Sequence, residues 1–127
     1  MGEQINSFED LRVYKEAFRH QQDIFELSKT VPSDERYNLS SQIRRSSRSV
    51  GANIAEAWQK RRYEAHFVSK LSDSDAELAE TLHHLNTARA CNYIDDTTYQ
   101  TLRDANAHVG GMLGRMMNES HKWVLKS

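Results

Sequence analysis

Residues 42–58 read QIRRSSRSVGANIAEAW, and this stretch predicts a helix with one apolar face. Its large apolar residues recur at helical spacing, together with Leu39 just before the stretch: Leu39, Ile43, Val50, Ile54 and Trp58. A half-buried strand would need strict alternation instead. Small residues stand between the apolar ones: Ser46, Ser47, Ser49, Gly51, Ala52 and Ala55. The segment therefore predicts a buried helix that another helix can approach closely.

Capping and breaking residues divide the whole chain into four predicted helices and a tail, at residues 8–31, 34–60, 64–91, 96–118 and 119–127. Ser7 and Asp10 form a capping box before the first helix. Pro32 ends that helix, because the residue before a proline is pushed out of helical backbone angles. Ser33 and Asp95 are expected to cap the second and fourth helices with their side-chain oxygens.

The second and third helices are not separated by any glycine or proline. An unbroken helix from Ser33 to Cys91 would be about 90 Å long at 1.5 Å per residue, so we place a turn near residues 60–64. The other helices have apolar faces of their own: Leu11, Tyr14, Phe18 and Phe25, with Ala17, Ile24 and Val31 beside them; Phe67, Leu71, Leu78, Leu82 and Leu85; Tyr99, Leu102, Val109, Leu113 and Met116. We predict an all-α fold, an antiparallel up-and-down four-helix bundle that forms a single domain over residues 1–127.

The composition supports helices and excludes several classes of protein. One proline and five glycines in 127 residues are too few for a sandwich or a barrel. Cys91 is the only cysteine, which excludes an intrachain disulfide and a multi-cysteine zinc site, and we expect its thiol to be buried. The first residues lack the basic and apolar regions of a secretory signal, and no apolar run approaches the ~20 residues that cross a bilayer. We therefore expect a cytoplasmic protein without membrane contact.

Residues that could carry chemistry are scarce. A di-iron site in a bundle needs two Glu-x-x-His pairs, whereas this chain has one, Glu80 with His83, and the neighbouring leucines turn it outward. The remaining histidines have no metal-ligand spacing and are predicted at the surface: His20, His66, His84, His108 and His121. The sequence has no glycine-rich phosphate loop and no arrangement of a nucleophile with its base. We predict no metal, no cofactor and no enzymatic activity.

Three glycines interrupt the pattern of the fourth helix, where each costs about 1 kcal/mol relative to alanine. They are Gly110, Gly111 and Gly114. Close packing between helices is the simplest explanation, and a hinge or a subunit contact is the alternative. Together with the small residues of the second helix and the apolar residues 123–125, they predict a homo-oligomer, with a pentamer favoured.

Charge is segregated along the chain although the net charge is only −1. Residues 36–62 carry a net charge of +6, whereas residues 63–83 carry −4. Arg44, Arg45 and Arg48 are three or four positions apart and should form one ridge, whose planar guanidinium groups suit phosphate. Further basic residues extend this predicted nucleic-acid surface: Lys60, Arg61 and Arg62. The alternative is a solvated face that pairs with the acidic third helix, and no aromatic residue interleaves the ridge.

Polar residues next to the predicted core need partners as well. Asn53 precedes the core residue Ile54, so its amide should be partly buried, and a buried amide or carboxylate must be hydrogen-bonded. Residues of the third helix, with Ser46 or Ser49, are suitable partners. We predict a structural polar network rather than a catalytic pair, formed by Asn53, Glu56, Ser74 and Glu77.

The run from Gln42 to Glu56 resembles the second helix of the proteins encoded in 23S rRNA intervening sequences. Other segments also resemble that family, namely residues 8–11, 13–15, 31–32, 35–39 and 74–78, so that the similarity extends over about residues 8–117. Two positions differ from the family pattern. Ala57 stands where the family usually has glycine, and Gly51 where it often has proline.

This resemblance implies an up-and-down four-helix bundle, no known catalysis and assembly into a ring of five. A protein similar in fold, the accessory variability determinant of diversity-generating retroelements, is a basic pentamer that binds nucleic acid and a reverse transcriptase. We therefore expect a non-enzymatic, ring-forming bundle that binds structured RNA or another nucleic acid through its basic second helix. The alternative is a protein-binding scaffold or accessory subunit without direct nucleic-acid contact.

Overall fold

The computed structural model describes residues 4–125, most of which lie in four long helices. These are α1 (Arg12–Ser28), α2 (Ser41–Gln59), α3 (Glu64–Ala90) and α4 (Asp96–Asn118). Short helical turns precede α1 (Phe8–Asp10) and follow α4 (Ser120–Lys122), and two more lead into α2 (Ser33–Glu35 and Arg36–Ser40). No strand occurs within these described residues. The predicted turn between the second and third helices is confirmed, since α2 ends at Gln59 and α3 begins at Glu64.

Neighbouring helices run antiparallel, as the order of their contacts shows. Tyr14 near the start of α1 lies beside Gly51, whereas Phe25 near its end lies beside Arg44, earlier in α2. Between α2 and α3, Ser46 contacts Thr81 and the later Glu56 contacts the earlier Lys70. Between α3 and α4, Leu78 contacts Asn106 and the later Asn86 contacts the earlier Tyr99. The fold is therefore the predicted antiparallel four-helix bundle.

The core consists of two apolar clusters with buried polar residues between them. The larger cluster packs around Ile54, Phe67 and Leu113, and the smaller around Ile24 and Leu85. At the level between the clusters, each helix has one buried polar residue that bonds to a neighbouring helix: His20, Ser46, Thr81 and Asn106. These four bond in two pairs, His20 with Asn106 and Ser46 with Thr81. Polar side chains so placed link α1 to α4 and α2 to α3 inside the bundle.

The buried face of α1 differs from the predicted one. The buried residues of α1 are Val13, Ala17, His20, Ile24, Leu27 and Ser28. Ala17 and Ile24 were predicted, whereas Phe18 is 45% exposed and Tyr14 and Phe25 are only partly buried. The prediction followed the largest aromatic residues. In the bundle, smaller residues and one histidine occupy the interior, and the aromatic rings lie along the edge of the helix, where there is more room.

The helix ends agree with the sequence at two caps and differ at a third. The capping box of Ser7 and Asp10 is present, although it caps the short turn before α1, and Asp95 accepts a hydrogen bond from the Thr98 amide at 2.7 Å. Helix α1 ends at Ser28 rather than at residue 31. The Ser33 cap was predicted wrongly, because no side-chain cap bond is made where the chain enters the turns before α2.

Two features near helix ends also correct the sequence predictions. Cys91 is exposed rather than buried, because α3 ends at Ala90 and the cysteine lies just beyond the packed part of the helix. Part of the predicted tail packs on the bundle, since the Trp123 and Trp58 rings are 6.4 Å apart. The Leu125 amide also donates to the Arg61 carbonyl at 3.1 Å. The described part of the tail therefore covers the bundle end where α2 meets α3.

Candidate nucleic-acid interface

The side of α2 that faces α1 carries two arginines held against an aromatic ring. Arg44 donates from Nε to the Ser28 hydroxyl at 2.6 Å, and its guanidinium carbon lies 4.9 Å from the centre of the Phe25 ring. The guanidinium of Arg48 lies 5.4 Å from the same ring, and Lys29 Nζ lies 4.6 Å from it. Three cations from two helices therefore surround one ring, each attracted by its electron-rich face.

An open cavity of about 510 Å³ adjoins this ring, between the end of α1 and the turns that lead into α2. Lys29, Arg36 and Arg44 line it, and Tyr37 at its edge is 76% exposed. The Arg36 guanidinium lies 5.9 Å from the centre of the Tyr37 ring. We call this surface the basic groove, and it comprises Phe25, Lys29, Arg36, Tyr37, Arg44 and Arg48.

Few acids neutralise the basic groove. Lys29 pairs with Glu26 at 3.2 Å, and the nearby Glu35 accepts a hydrogen bond from the Tyr93 hydroxyl, which raises the pKa of Tyr93 to about 12. Within residues 4–125, neither Arg44 nor Arg48 has a carboxylate within ion-pair distance. Within the described residues, the groove therefore keeps two arginines, Arg44 and Arg48, that have no acidic partner.

Arg45, one residue from Arg44, points to the opposite side of α2. Its guanidinium donates to Glu77 of α3 at 2.9 Å and also to Glu80. The bond with Glu80 raises the pKa of Arg45, and the same bond lowers the pKa of Glu80. The predicted ridge is thus divided. Arg44 and Arg48 belong to the basic groove, whereas Arg45 makes the ion pair with α3 that the alternative interpretation proposed.

The other predicted basic residues lie at the far end of α2. Arg61 stacks on Trp58 with its guanidinium carbon 3.6 Å from the ring centroid, and it donates from Nε to the Trp58 carbonyl at 2.8 Å. Burial lowers the pKa of Arg61. Lys60 and Arg62 are exposed in the turn. Sixteen residues separate Lys60 from Arg44, which corresponds to about 24 Å along a helix, so one phosphate cannot reach both.

The four residues of the predicted polar network each have a different partner. Asn53 donates to the Ser49 carbonyl of its own helix at 2.9 Å, and Ser74 donates to the Val50 carbonyl at 2.8 Å. The carboxylates bind separate cations, Glu56 with Lys70 at 3.4 Å and Glu77 with Arg45. The structure therefore has three separate contacts between α2 and α3 and one within α2, where the prediction had one network.

His20 is the histidine that the surface prediction placed wrongly, since it is only 3% exposed. Its Nε2 lies 2.8 Å from the Asn106 carbonyl oxygen, and the Asn106 amide nitrogen donates to the Leu78 carbonyl. Because Asn106 uses its oxygen as the acceptor, His20 must donate from Nε2, and its buried Nδ1 has no hydrogen-bond partner. Burial lowers the pKa of His20.

The predicted Glu-x-x-His pair lies apart from any cluster of metal ligands. Glu80 binds Arg45, and His84 approaches the same carboxylate with Nε2 at 3.2 Å, while His83 is exposed. Within the described residues, no three side chains of histidine, cysteine, aspartate or glutamate are grouped as metal ligands would be. None of the helices in residues 4–125 has the length and apolar character needed to cross a membrane.

Sequence reasoning missed Lys29, Tyr37 and the role of Phe25 in the groove. Phe25 and Lys29 precede residue 36, where the basic segment of the charge count began, and Tyr37 carries no charge. A signal was present, because Lys29 and Arg36 flank Pro32. A proline break between two antiparallel helices brings the residues on either side of it to the same end of the bundle.

The fold and the groove define a class of protein, a small antiparallel four-helix bundle with a basic surface at one end. Residues 9–115 match the family model described as 23S rRNA-intervening sequence protein, and the chain belongs to that family. The resemblance seen in residues 42–56 is thereby confirmed.

A solved structure from Bacteroides thetaiotaomicron agrees with this membership. It is a protein of unknown function from the S23 ribosomal protein family, 27% identical to this chain, with a TM-score of 0.75. The alignment covers 83% of this chain and 97% of that one. No curated protein sequence matches the chain.

Proposed function

We propose that this protein is a non-enzymatic RNA-binding bundle that holds phosphate groups in the basic groove. The observation that carries the proposal is the pair Arg44 and Arg48, which are held against Phe25 and have no carboxylate partner among residues 4–125. A guanidinium group donates two parallel hydrogen bonds to phosphate, and one that is already ordered loses less conformational entropy on binding. The family name refers to 23S rRNA, which makes structured rRNA the first nucleic acid to test.

Aromatic residues in the groove favour RNA over a simple anion. Tyr37 is exposed beside Arg36, and exposed rings of this kind stack on unpaired bases. The cations at the other end of α2, Lys60 and Arg62, are about 24 Å away and would meet a second part of the same RNA. An extended, structured RNA therefore fits this arrangement better than a single nucleotide.

We also propose that the protein forms a homo-oligomer, with a ring of five favoured by the resemblance described above. Phe18 is an exposed aromatic residue on α1. Packing within the chain accounts for Gly110, whose Cβ position lies 3.4 Å from Leu78, but no atom of another helix lies within 4 Å of that position at Gly111 or Gly114. These two glycines leave a smooth surface for another subunit. Light scattering should give about five times 14.7 kDa, and a monomer at micromolar concentrations would contradict the proposal.

The test of the RNA proposal compares arginines on the two sides of α2. Affinity for a structured 23S rRNA fragment is measured at two salt concentrations for the parent, for the double variant Arg44→Gln/Arg48→Gln, and for the matched variant Arg45→Gln. We expect the double variant to bind at least tenfold more weakly. Its salt dependence should also be shallower by up to about two units, since each lost phosphate contact removes about 0.9 units for duplex nucleic acid.

The matched variant decides whether the groove is the site. Arg45→Gln should keep its affinity within about twofold, because the Arg45 charge is balanced by Glu77 and Glu80. Equal losses in the single and the double variant would mean that α2 acts only through its total charge, and the groove would not be the site. A parent protein that does not bind the fragment even at low salt would favour the protein-binding scaffold instead.

A further inference from the structure

A second open cavity lies at the opposite end of α1 from the basic groove. It has a volume of about 590 Å³ and is formed where the N-terminal segment and the start of α1 meet the end of α4. Its floor is apolar, with Leu11, Met112 and Met116 among the lining side chains, and the partly buried Trp123 closes one side. Cavities of this size with mostly apolar walls are typical of small-molecule sites.

Two exposed arginines stand at the rim of this cavity, Arg12 from α1 and Arg115 from α4. Neither has a carboxylate within ion-pair distance in residues 4–125. The one acid in the lining, Glu119, pairs with Lys122 at 3.2 Å. In the part of the chain that the structure describes, the cavity therefore combines an apolar interior with two arginines at its edge that no carboxylate balances.

From this combination we infer that the cavity binds a small organic anion with an apolar body, such as an aryl or alkyl sulfonate or carboxylate. The apolar body would cover the methionines and Trp123, and the anionic group would lie between Arg12 and Arg115. Methionine suits such a site because its flexible, polarisable side chain adapts to ligands of different shapes. Arginine supplies the planar donors that carboxylate and sulfonate oxygens accept.

A matched pair of probes tests this inference. 8-Anilinonaphthalene-1-sulfonate carries the anion, and N-phenyl-1-naphthylamine has the same aromatic framework without it. We expect one sulfonate probe to bind per chain at least tenfold more tightly than the neutral probe. Because Trp123 lines the cavity, its fluorescence should be quenched by the bound probe in proportion to occupancy.

Variants separate charge from apolar burial. Arg12→Gln/Arg115→Gln should remove the preference for the sulfonate probe and leave the affinity for the neutral probe unchanged. Met112→Gln should weaken both probes. The control is Arg103→Gln, which changes an exposed arginine near the opposite end of α4 and should alter neither probe.

Three outcomes would overturn the inference. The first is equal affinity for the two probes, because the arginines would then contribute nothing. The second is a sulfonate affinity unaffected by the double variant. The third is the absence of any binding, as expected if a second copy of the chain covers the cavity in the assembled protein. The RNA proposal does not depend on any of these results, since the basic groove that carries it lies at the other end of α1.

Discussion

Polar side chains find partners within the chain where α2 packs on α3. On the side of the bundle formed by α1, several of those that the structure describes do not. At the α2–α3 contact, the Ser46 hydroxyl lies 2.8 Å from that of Thr81, and Ser74 donates to a backbone carbonyl. Arg45 is bound by two carboxylates. At the α2–α3 contact, these polar side chains therefore all have partners within the chain.

The α1 side leaves polar groups unbalanced. Arg44 and Arg48 stack on Phe25 without a carboxylate partner in the described residues, and His20 Nδ1 is buried without a hydrogen bond. The unpaired Nδ1 of His20 costs stability because it is buried, whereas Arg44 and Arg48 reach solvent at least in part and so remain available to a binding partner. A surface for a binding partner is therefore better identified from charged groups that lack a partner than from the number of charges.

The largest expected effect is on the stability of the α2–α3 contact. Ser46 is fully buried there, so Ser46→Leu should lower the free energy of unfolding by about 1–3 kcal/mol, because it overfills a packed position. It also removes the hydroxyl that bonds to Thr81. Urea denaturation at a fixed protein concentration measures this change.

The matched substitution on the α1 side is Gly51→Ala. A Cβ at this position would lie 3.6 Å from the Tyr14 ring, an ordinary contact distance. Alanine also favours helix over glycine by up to about 1 kcal/mol, so this variant should be at least as stable as the parent. If both variants lose stability equally, the two sides of α2 are packed alike and the comparison fails.

A second, smaller effect concerns His20 and pH. Burial lowers its pKa in the folded state below the ordinary value of 6.5, although its bond to Asn106 and the nearby Asp23 partly oppose this shift. The unfolded chain therefore binds a proton before the folded one does. Stability should fall as the pH drops below 6.5, by at most about 1.4 kcal/mol per pH unit.

The measurement compares the pH dependence of urea unfolding in the parent and in two histidine variants. His20→Gln should flatten the decline below pH 6.5, whereas His108→Gln, at an exposed position of α4, should leave it unchanged. The same decline in all three proteins would show that other groups, not His20, respond to acid.

The smallest effect expected is the coupling between Arg45 and Glu77. Their side chains are 48% and 23% exposed, and ion pairs near the surface contribute about 0.2–1 kcal/mol. A double-mutant cycle with Arg45→Gln and Glu77→Gln should give a coupling in that range. The cycle that pairs Arg44→Gln with Glu77→Gln should give none, and a clear coupling there would contradict the division of arginines between the two sides.

The parts of the fold that depend on local sequence were predicted well. A turn was predicted because one helix from Ser33 to Cys91 would be too long, and the chain does turn between Gln59 and Glu64. Asp95 caps α4, as its residue type suggests. Apolar spacing likewise identified the buried residues of α2, including Ile54 and Trp58. The cap and the apolar spacing depend on residues within a few turns of one another, whereas the turn followed from the length that one helix can have in so short a chain.

The parts that depend on neighbouring helices were predicted less well. The interior of α1 includes His20, whose polarity is tolerated because Asn106 of α4 supplies a hydrogen bond from 86 positions away. Lys29 and Tyr37 belong to the groove because the Pro32 break folds α1 against the turns before α2. Nothing within a single helix indicates which partner lies opposite a given side chain.

Four helices and the family could be predicted from the sequence, because helical spacing, capping and the family pattern involve residues that are close together in the chain. Which arginines of the described residues lack an acidic partner depends on the packed bundle. Successive residues of a helix point about 100° apart, so Arg44 and Arg45 necessarily face different surroundings. Their neighbours, Phe25 on one side and Glu77 on the other, depend on the rotation of α2 against α1 and α3, and packing of the whole core sets that rotation.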